Sequence, residues 1–317
     1  MGKKEHTFHI VQIGLGVVGY GYYKAISFKG FKVSGIEHNM DLVKKYKNEM
    51  EIYHTSDNLN NIKNVDFIFI SVPTPLKGDE LDMTYLFSTL NNVATIIKNN
   101  PDAFVILRST VNPNTTRLYK DKLEQILNHT AICGFNPEFL RAKTAFSDAL
   151  HPWFCCLSLC NTDISLRPLI DFYSHFIDRD RISVISVEEA ELLKLFHNSF
   201  NAAKISFFNQ CFLLTEAMNK KNGTNIDMNI ISTILPKTAE GLINPKYGLK
   251  VGSAFAGSCL SKDPNQLASL EKEYNLDSQL FKSVVEVNEN MKQYEKDNNL
   301  PEYIYGHHQI SHDKMKI

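Results

Sequence analysis

From residue 8 to about 187, short runs of β-branched and aromatic residues alternate with longer stretches whose apolar positions recur every three or four residues. The strand-like runs are FHIVQI, FKVSGI, DFIFISV, AFVILRS, TAICGF, WFCCLSL and SVISV. Between them, helical spacing with one polar face predicts helices over 17–28, 41–48, 84–98, 115–127 and 166–176. Strands alternating with helices cover both faces of a sheet, so this half of the chain is expected to be an α/β fold with a doubly wound parallel sheet.

At Glu188 the pattern changes. Strand-like runs cease, and Phe196, Phe200, Ala203, Phe207, Cys211, Leu214 and Met218 recur at three- and four-residue steps along one helical run to about Lys221. Acidic Glu188 and Glu189 at its start and Asn222-Gly223 at its end bracket it as a helix should be bracketed. Further helical patterns at 227–235, 264–274 and 278–293 predict an all-helical domain built around that long central helix. The expected division is 1–187, 188–298 and a polar tail, 299–317. The aromatic seam of the long helix is a candidate homodimer surface. His307, His308 and His312 in the tail are read as solvated, and no metal site is expected.

With 34 basic and 35 acidic residues the chain carries no field to attract nucleic acid or a membrane, so any phosphate recognition has to be local. No run approaches the ~20 apolar residues of a membrane-spanning helix. The polar start has no signal-peptide pattern, and Gly2 is followed by His6 where a myristoylation signal has serine or threonine. Six cysteines without CxxC pairs suit a reducing compartment, so a cytoplasmic protein is expected.

Local chemistry begins at Gly14-Leu15-Gly16-Val17-Val18-Gly19, a G-x-G-x-x-G between the first strand and the first helix. Its glycines allow a tight turn and close approach of a pyrophosphate to the helix N-terminus. Glu37 ends the second strand, roughly 20 residues on, where a carboxylate accepts both ribose hydroxyls and repels a 2′-phosphate. The half-chain is therefore read as Rossmann-like and NAD is favoured over NADP. Ser71-Val72-Pro73-Thr74-Pro75 and Arg108-Ser109-Thr110-Val111-Asn112-Pro113 also fall at carboxyl ends of strands, where ligands bind. The hydroxyls of Thr74, Ser109 and Thr110 can face a cofactor or a water, or simply punctuate loops.

The segment Gly252-Ser253-Ala254-Phe255-Ala256-Gly257-Ser258-Cys259-Leu260-Ser261-Lys262-Asp263 places a cysteine in a glycine-containing loop three residues before a lysine, a setting that favours thiolate. Asp263-Pro264 has the form of an N-cap followed by proline at the first helical position. Lys194 and Asn198 are one helical turn apart and share a face, so an ammonium and an amide can converge on one oxyanion.

Taken in order, GLGVVG, SVPTP, RSTVNPNTT, NPEFLR, KLFHNSF and FAGSCLSKD resemble the signatures of the UDP-glucose/GDP-mannose dehydrogenase family over residues 8–293. The resemblance implies NAD-dependent oxidation of a nucleotide sugar's primary alcohol to a carboxylate. UDP-glucose going to UDP-glucuronate is the first expectation; GDP-mannose, UDP-N-acetylmannosamine or a non-catalytic NAD-binding assembly subunit are alternatives. It implies Cys259 as nucleophile through a thiohemiacetal and a thioester, with Lys194 and Asn198 holding the substrate oxygen. Asp263 assists proton transfer and Thr110 and Glu138 position the hydrolytic water. Gly14, Gly16, Val17, Val18, Gly19, Glu37, Val72, Pro73, Thr74, Ser109, Thr110 and Lys262 are the implied cofactor contacts. Phe139, Leu140, Phe255 and Gly257 join Lys194 and Asn198 as substrate contacts.

The sequence departs from the family pattern at Ala142, where a second glutamate is common, and at Ser261 and Ala256, where proline and glycine are usual. The resemblance also implies a third, C-terminal α/β domain that contacts the nucleotide. This sequence stops about where that domain would begin, so a natural short form, a site completed by another polypeptide, or impaired activity is expected.

Overall fold

The computed structural model describes residues 7–78, 80–243, 253–255, 258–277 and 279–300, and only the backbone of Glu240, Ser258, Cys259, Ser261 and Lys262. The sequence's polar tail beyond residue 300, with its three histidines, lies outside the described residues, as does Gly257.

Eight strands form one sheet: β1 (His9–Ile13), β2 (Lys32–Glu37), β3 (Ile52–His54), β4 (Phe67–Ile70), β5 (Phe104–Leu107), β6 (Ile132–Phe135), β7 (Cys155–Leu159) and β8 (Ile182–Val184). Their spatial order is β8, β7, β6, β5, β4, β1, β2, β3. Alternation along each strand sends side chains to two cores. Val11, Ile13, Ile68, Ile70, Val105 and Leu107 meet one helical layer, α4 (Leu90–Ile97) and α5 (Thr115–Leu127). Ile10, Phe67, Phe69, Phe104 and Ile106 meet the other, α1 (Val17–Phe28) and α7 (Arg167–Tyr173). The sheet is a doubly wound, Rossmann-type sheet with its strand order reversing beside β1, so the carboxyl ends of β1, β2, β4 and β5 frame the crevice where such sheets bind ligands.

All seven expected strands are present, but the sheet is not wholly parallel. β7 pairs antiparallel to β6, and β8 runs with β7. A parallel return needs a crossover of a dozen or more residues over the sheet face. The chain between Phe135 and Cys155 instead spends its one helix, α6 (Ala145–Leu150), packing against α1: a Cβ at Gly21 would lie 3.0 Å from Ala145, and Phe146 meets Phe28. The expected helix at 84–98 is two, α3 (Thr84–Ser88) and α4. They part at Thr89, whose hydroxyl bonds Leu86 O and the Tyr119 hydroxyl, each at 2.7 Å.

The described chain forms two compact units, Met1–Ser199 and Phe200–Ile317, dividing within the long helix α8 (Val187–Asn222). α2 (Met40–Tyr46) completes the first unit. The second holds the remainder of α8 with α9 (Met228–Ile234), α10 (Glu240–Ile243), α11 (Ser258–Glu273) and α12 (Leu280–Asp297), and among its described residues there is no strand. Within it Phe207 meets Phe281 edge-on at 5.9 Å, and Asn222 donates to the Tyr274 hydroxyl at 2.9 Å.

One local expectation is overturned. Asp263 is not an N-cap: α11 already begins at Ser258, and Pro264 sits inside it. Proline has no N–H and its ring crowds the carbonyl four residues back, so the Leu260 carbonyl loses its intrahelical partner while the helix runs on to Glu273. Cys259 consequently lies in the first turn of a helix and not in a loop.

Candidate active site

The glycine loop is dictated by contact distances. Gly14 has φ +82°, and a Cβ there would fall 2.5 Å from Ser71 O; at Gly19 it would fall 1.8 Å from Gly14 O. At Gly16 a Cβ would meet nothing within 4 Å. Two of the glycines thus fit the loop to the protein, whereas the third fronts an open groove. Gly16 is also the N-cap of α1, with no side-chain cap and no acid in the first turn, so the helix amides are available to a pyrophosphate.

That groove, about 360 Å³, has Gly14, Gly16, Val17, Val18, Glu37, Val72, Pro73, Thr74, Arg108, Ser109, Thr110 and Glu138 in its lining. Ten of the expected cofactor contacts are thereby brought together, and they fit a dinucleotide laid across the switch point. Gly19 lies behind the loop. Lys262 belongs to the second unit, and only its backbone is described. Glu37 is buried, and its carboxylate accepts the Leu15 amide at 2.6 Å and the His38 and Asn39 amides at 2.9 Å. One side chain therefore ties the glycine loop to the end of β2.

The hydroxyls at the sheet edge have a structural task. Ser109 Oγ donates to Val72 O and Thr74 Oγ1 to Thr110 O, both at 2.6 Å, so the two loops are stapled reciprocally across the groove floor. Their lone pairs can still accept.

At one end of the groove stands Glu138. Lys194 of α8 reaches it with an ammonium-to-carboxylate distance of 2.9 Å and also donates to the Glu138 carbonyl oxygen. The other Glu138 oxygen accepts the Leu140 amide at 2.8 Å. Asn136, starting the same loop, is held by its side-chain donation to Cys156 O at 2.7 Å and by the Tyr173 hydroxyl at 2.5 Å. Arg141 closes the loop on Asp148, bonding its two oxygens at 3.0 and 2.7 Å. Phe139 lies 4.7 Å from the His197 ring, whose pKa is lowered by burial and by Lys194. Asn198 is exposed one turn beyond Lys194, as its spacing implies. Phe139 and Leu140 line a neighbouring apolar cavity and not the groove itself.

In the second unit, Cys259 and Asp263 occupy the first and second turns of α11, four positions apart, with Asp263 exposed. Helix N-termini favour thiolate. Phe255, just ahead, is clamped by Asn288 of α12, which accepts its amide at 2.7 Å and donates to its carbonyl at 3.0 Å, while Glu295 accepts the Ala254 amide at 2.9 Å. Neither Asn288 nor Glu295 is visible in the motifs, since both act from a separate helix. Glu191 is missed for the same reason. Fully buried on α8, it accepts the Asn114 and Thr116 amides and the Thr116 hydroxyl at 2.6 to 2.8 Å, capping α5 from outside. Among the described residues no cluster able to hold a metal ion occurs, no helix is long and apolar enough to cross a membrane, and the five cysteines whose side chains are described are free.

Comparison with known proteins adds an independent finding. Residues 8–177 match the model of the NAD binding domain of the UDP-glucose/GDP-mannose dehydrogenase family, and residues 188–290 match its central domain. UDP-glucose 6-dehydrogenase of Rickettsia bellii is 28% identical over 312 residues, 88% of this chain and 66% of the relative. That of Rickettsia typhi is 31% identical over 238 residues, 72% of this chain and 50% of the relative. The chain thus spans about half to two thirds of the length of these relatives. A GDP-mannose dehydrogenase from Pseudomonas aeruginosa superposes with a TM-score of 0.79 at 23% identity, covering 93% of this chain and 71% of that one, a likeness of fold.

Proposed function

Since the chain belongs to the UDP-glucose/GDP-mannose dehydrogenase family, we propose that it oxidises the primary alcohol of a nucleotide sugar to a carboxylate with NAD, UDP-glucose being the first candidate. The observation that carries the reading is that Glu138, ion-paired with Lys194, lines the glycine-loop groove. It sets an ammonium and a carboxylate beside the crevice where the dinucleotide fits. NAD, when bound, accepts the electrons of both oxidation steps.

Everything else falls to the chain's own residues. Gly16 and the α1 amides receive the pyrophosphate, and Glu37 the ribose. Lys194 and Asn198 hold the substrate oxygen as it gains negative charge. The Cys259 thiolate adds to the aldehyde carbon as a thiohemiacetal, which the second oxidation turns into a thioester. Glu138 and Thr110 orient the water that hydrolyses it, and Asp263 takes part in proton transfer. Phe139, Leu140, Phe255 and Gly257 shape the sugar pocket, and Lys262 completes the cofactor contacts. Asp263 lies within α11, so its role is not that of a helix cap.

The Rickettsia relatives named UDP-glucose 6-dehydrogenase support UDP-glucose. A panel of UDP-glucose, GDP-mannose and UDP-N-acetylmannosamine with NAD or NADP tests the choice. NADH formation with UDP-glucose and NAD is expected, and NAD binding without turnover of any of the three rejects the enzyme reading. A homodimer through α8 belongs to the same proposal, motivated by Phe196 and Phe200, 64% and 68% exposed. A monomer by sedimentation at micromolar concentration rejects it.

A further inference from the structure

Beside the groove, wholly within the first unit, lies a second cavity of about 360 Å³ whose walls are largely apolar. Ile26, Phe69, Leu140, Phe154, Phe172 and Phe176 are among its apolar lining. Such a volume is that of a small-molecule site. Polar groups among the lining include Asn136, Asp148, His151 and His197, and one guanidinium, that of Arg108. This residue follows the last residue of β5, directed by strand alternation to the α1 and α7 side, and is 1% exposed. Its guanidinium stacks 3.3 Å from the Tyr22 ring centroid, while Nε and Nη1 have no hydrogen-bond partner among the described residues.

No carboxylate among the described residues bonds Arg108 Nε or Nη1, although the Glu138 charge favours the cation from a distance. Asp148, on the same wall, is engaged by Arg141 and by the Thr144 hydroxyl. Glu138 is paired with Lys194 at 2.9 Å. Asn136 and Tyr173, also in the lining, are bonded to each other. A buried cation without an anion is strongly unfavourable, so the cavity is complementary to a ligand that brings one. Its rim is formed by Trp153, 63% exposed and covered on one side by Arg141, 4.8 Å from its ring.

We propose that this cavity is a binding site for a small apolar carboxylate, with an aromatic or branched aliphatic body against the phenylalanines and its acid group accepting from Arg108. Such an occupant also touches Leu193 and His197, the neighbours of Lys194 on α8. The cavity adjoins the cofactor groove, with which it shares Arg108, so the test is made with NAD bound and reads binding, not turnover.

Trp153 is the only tryptophan of the chain, which makes its fluorescence a local reporter. Titration of the full chain with phenylacetate, in the presence of saturating NAD, is expected to give a saturable emission change. Neutral phenylacetamide is expected to bind about tenfold more weakly, because it cannot form the charge-assisted bond. Arg108→Gln should erase the difference between acid and amide. Phe154→Asp, at a half-exposed position of the lining, should weaken the acid selectively. Equal affinity for acid and amide in the native chain, displacement of phenylacetate by NAD, or an unchanged phenylacetate affinity in Phe154→Asp overturns the proposal.

Discussion

Lys194 and Glu138, 56 positions apart in the chain, meet as an ion pair at 2.9 Å with both side chains nearly buried. The pair fastens the start of α8 to the loop after β6, and its carboxylate lines the cofactor groove. Structure and chemistry therefore share one contact. Lys194→Met leaves a buried carboxylate without its cation and is expected to cost about 3–5 kcal/mol in urea unfolding. Adding Glu138→Gln should recover part of that loss, whereas strictly additive costs would remove the coupling.

Glu191 gives a second prediction. Burial raises its pKa, against the opposing bonds from Thr116 and Asn114. A raised folded-state value means that the group's stabilising contribution is complete below the ordinary carboxylate pKa and is lost as pH rises through the folded value. In denaturant unfolding from pH 4 upward, the native chain is expected to lose stability relative to Glu191→Gln across that window. Glu191→Ala, which uncaps α5, should be destabilised by about 1–2 kcal/mol at every pH. Parallel pH profiles for the native chain and Glu191→Gln would contradict the first expectation.

Much of this was legible in the sequence because local patterns carry it. The G-x-G-x-x-G and Glu37 located the groove, and periodicity placed α1 and α5 to the residue. What was not legible depends on partners distant in the chain. Nothing local to ICGF or CCLSL tells that β7 turns back antiparallel, because that follows from α6 docking on α1. The Asp263-Pro264 pair carries a helix-start signal that five earlier helical residues override. Glu191, Asn288 and Glu295 act through backbone amides on other elements, and such bonds leave no spacing to read. For Ser109 and Thr74 the sequence leaves open a ligand contact or loop punctuation; each hydroxyl donates to the other's loop, and both residues line the groove.

Asp148 sets the acid limit of the loop after β6. Hydrogen bonds from Arg141, aided by Thr144 and opposed by burial, hold its pKa far below the ordinary carboxylate value. A depressed folded-state value gives stability that is present above the unfolded pKa, near 3.8, and lost as pH falls toward the folded one. Asp148→Asn is expected to lower Tm at neutral pH and to narrow its gap from the native chain below about pH 4. A gap independent of pH would dissociate the pair from acid sensitivity.

Glu37 joins cofactor choice to loop geometry. Glu37→Ala removes the acceptor for the Leu15, His38 and Asn39 amides as well as the proposed ribose contact. Calorimetry should show NAD binding weakened by about tenfold or more, with the preference over NADP reduced. Unchanged NAD affinity would remove Glu37 from the cofactor site.

The central claim is that Cys259 carries the sugar covalently between two oxidations, and NADH stoichiometry tests it most directly. With UDP-glucose as limiting substrate, the native chain is expected to form two NADH per sugar and release the uronate, and Cys259→Ala to release none. Uronate formation by Cys259→Ala at the native rate would contradict the account.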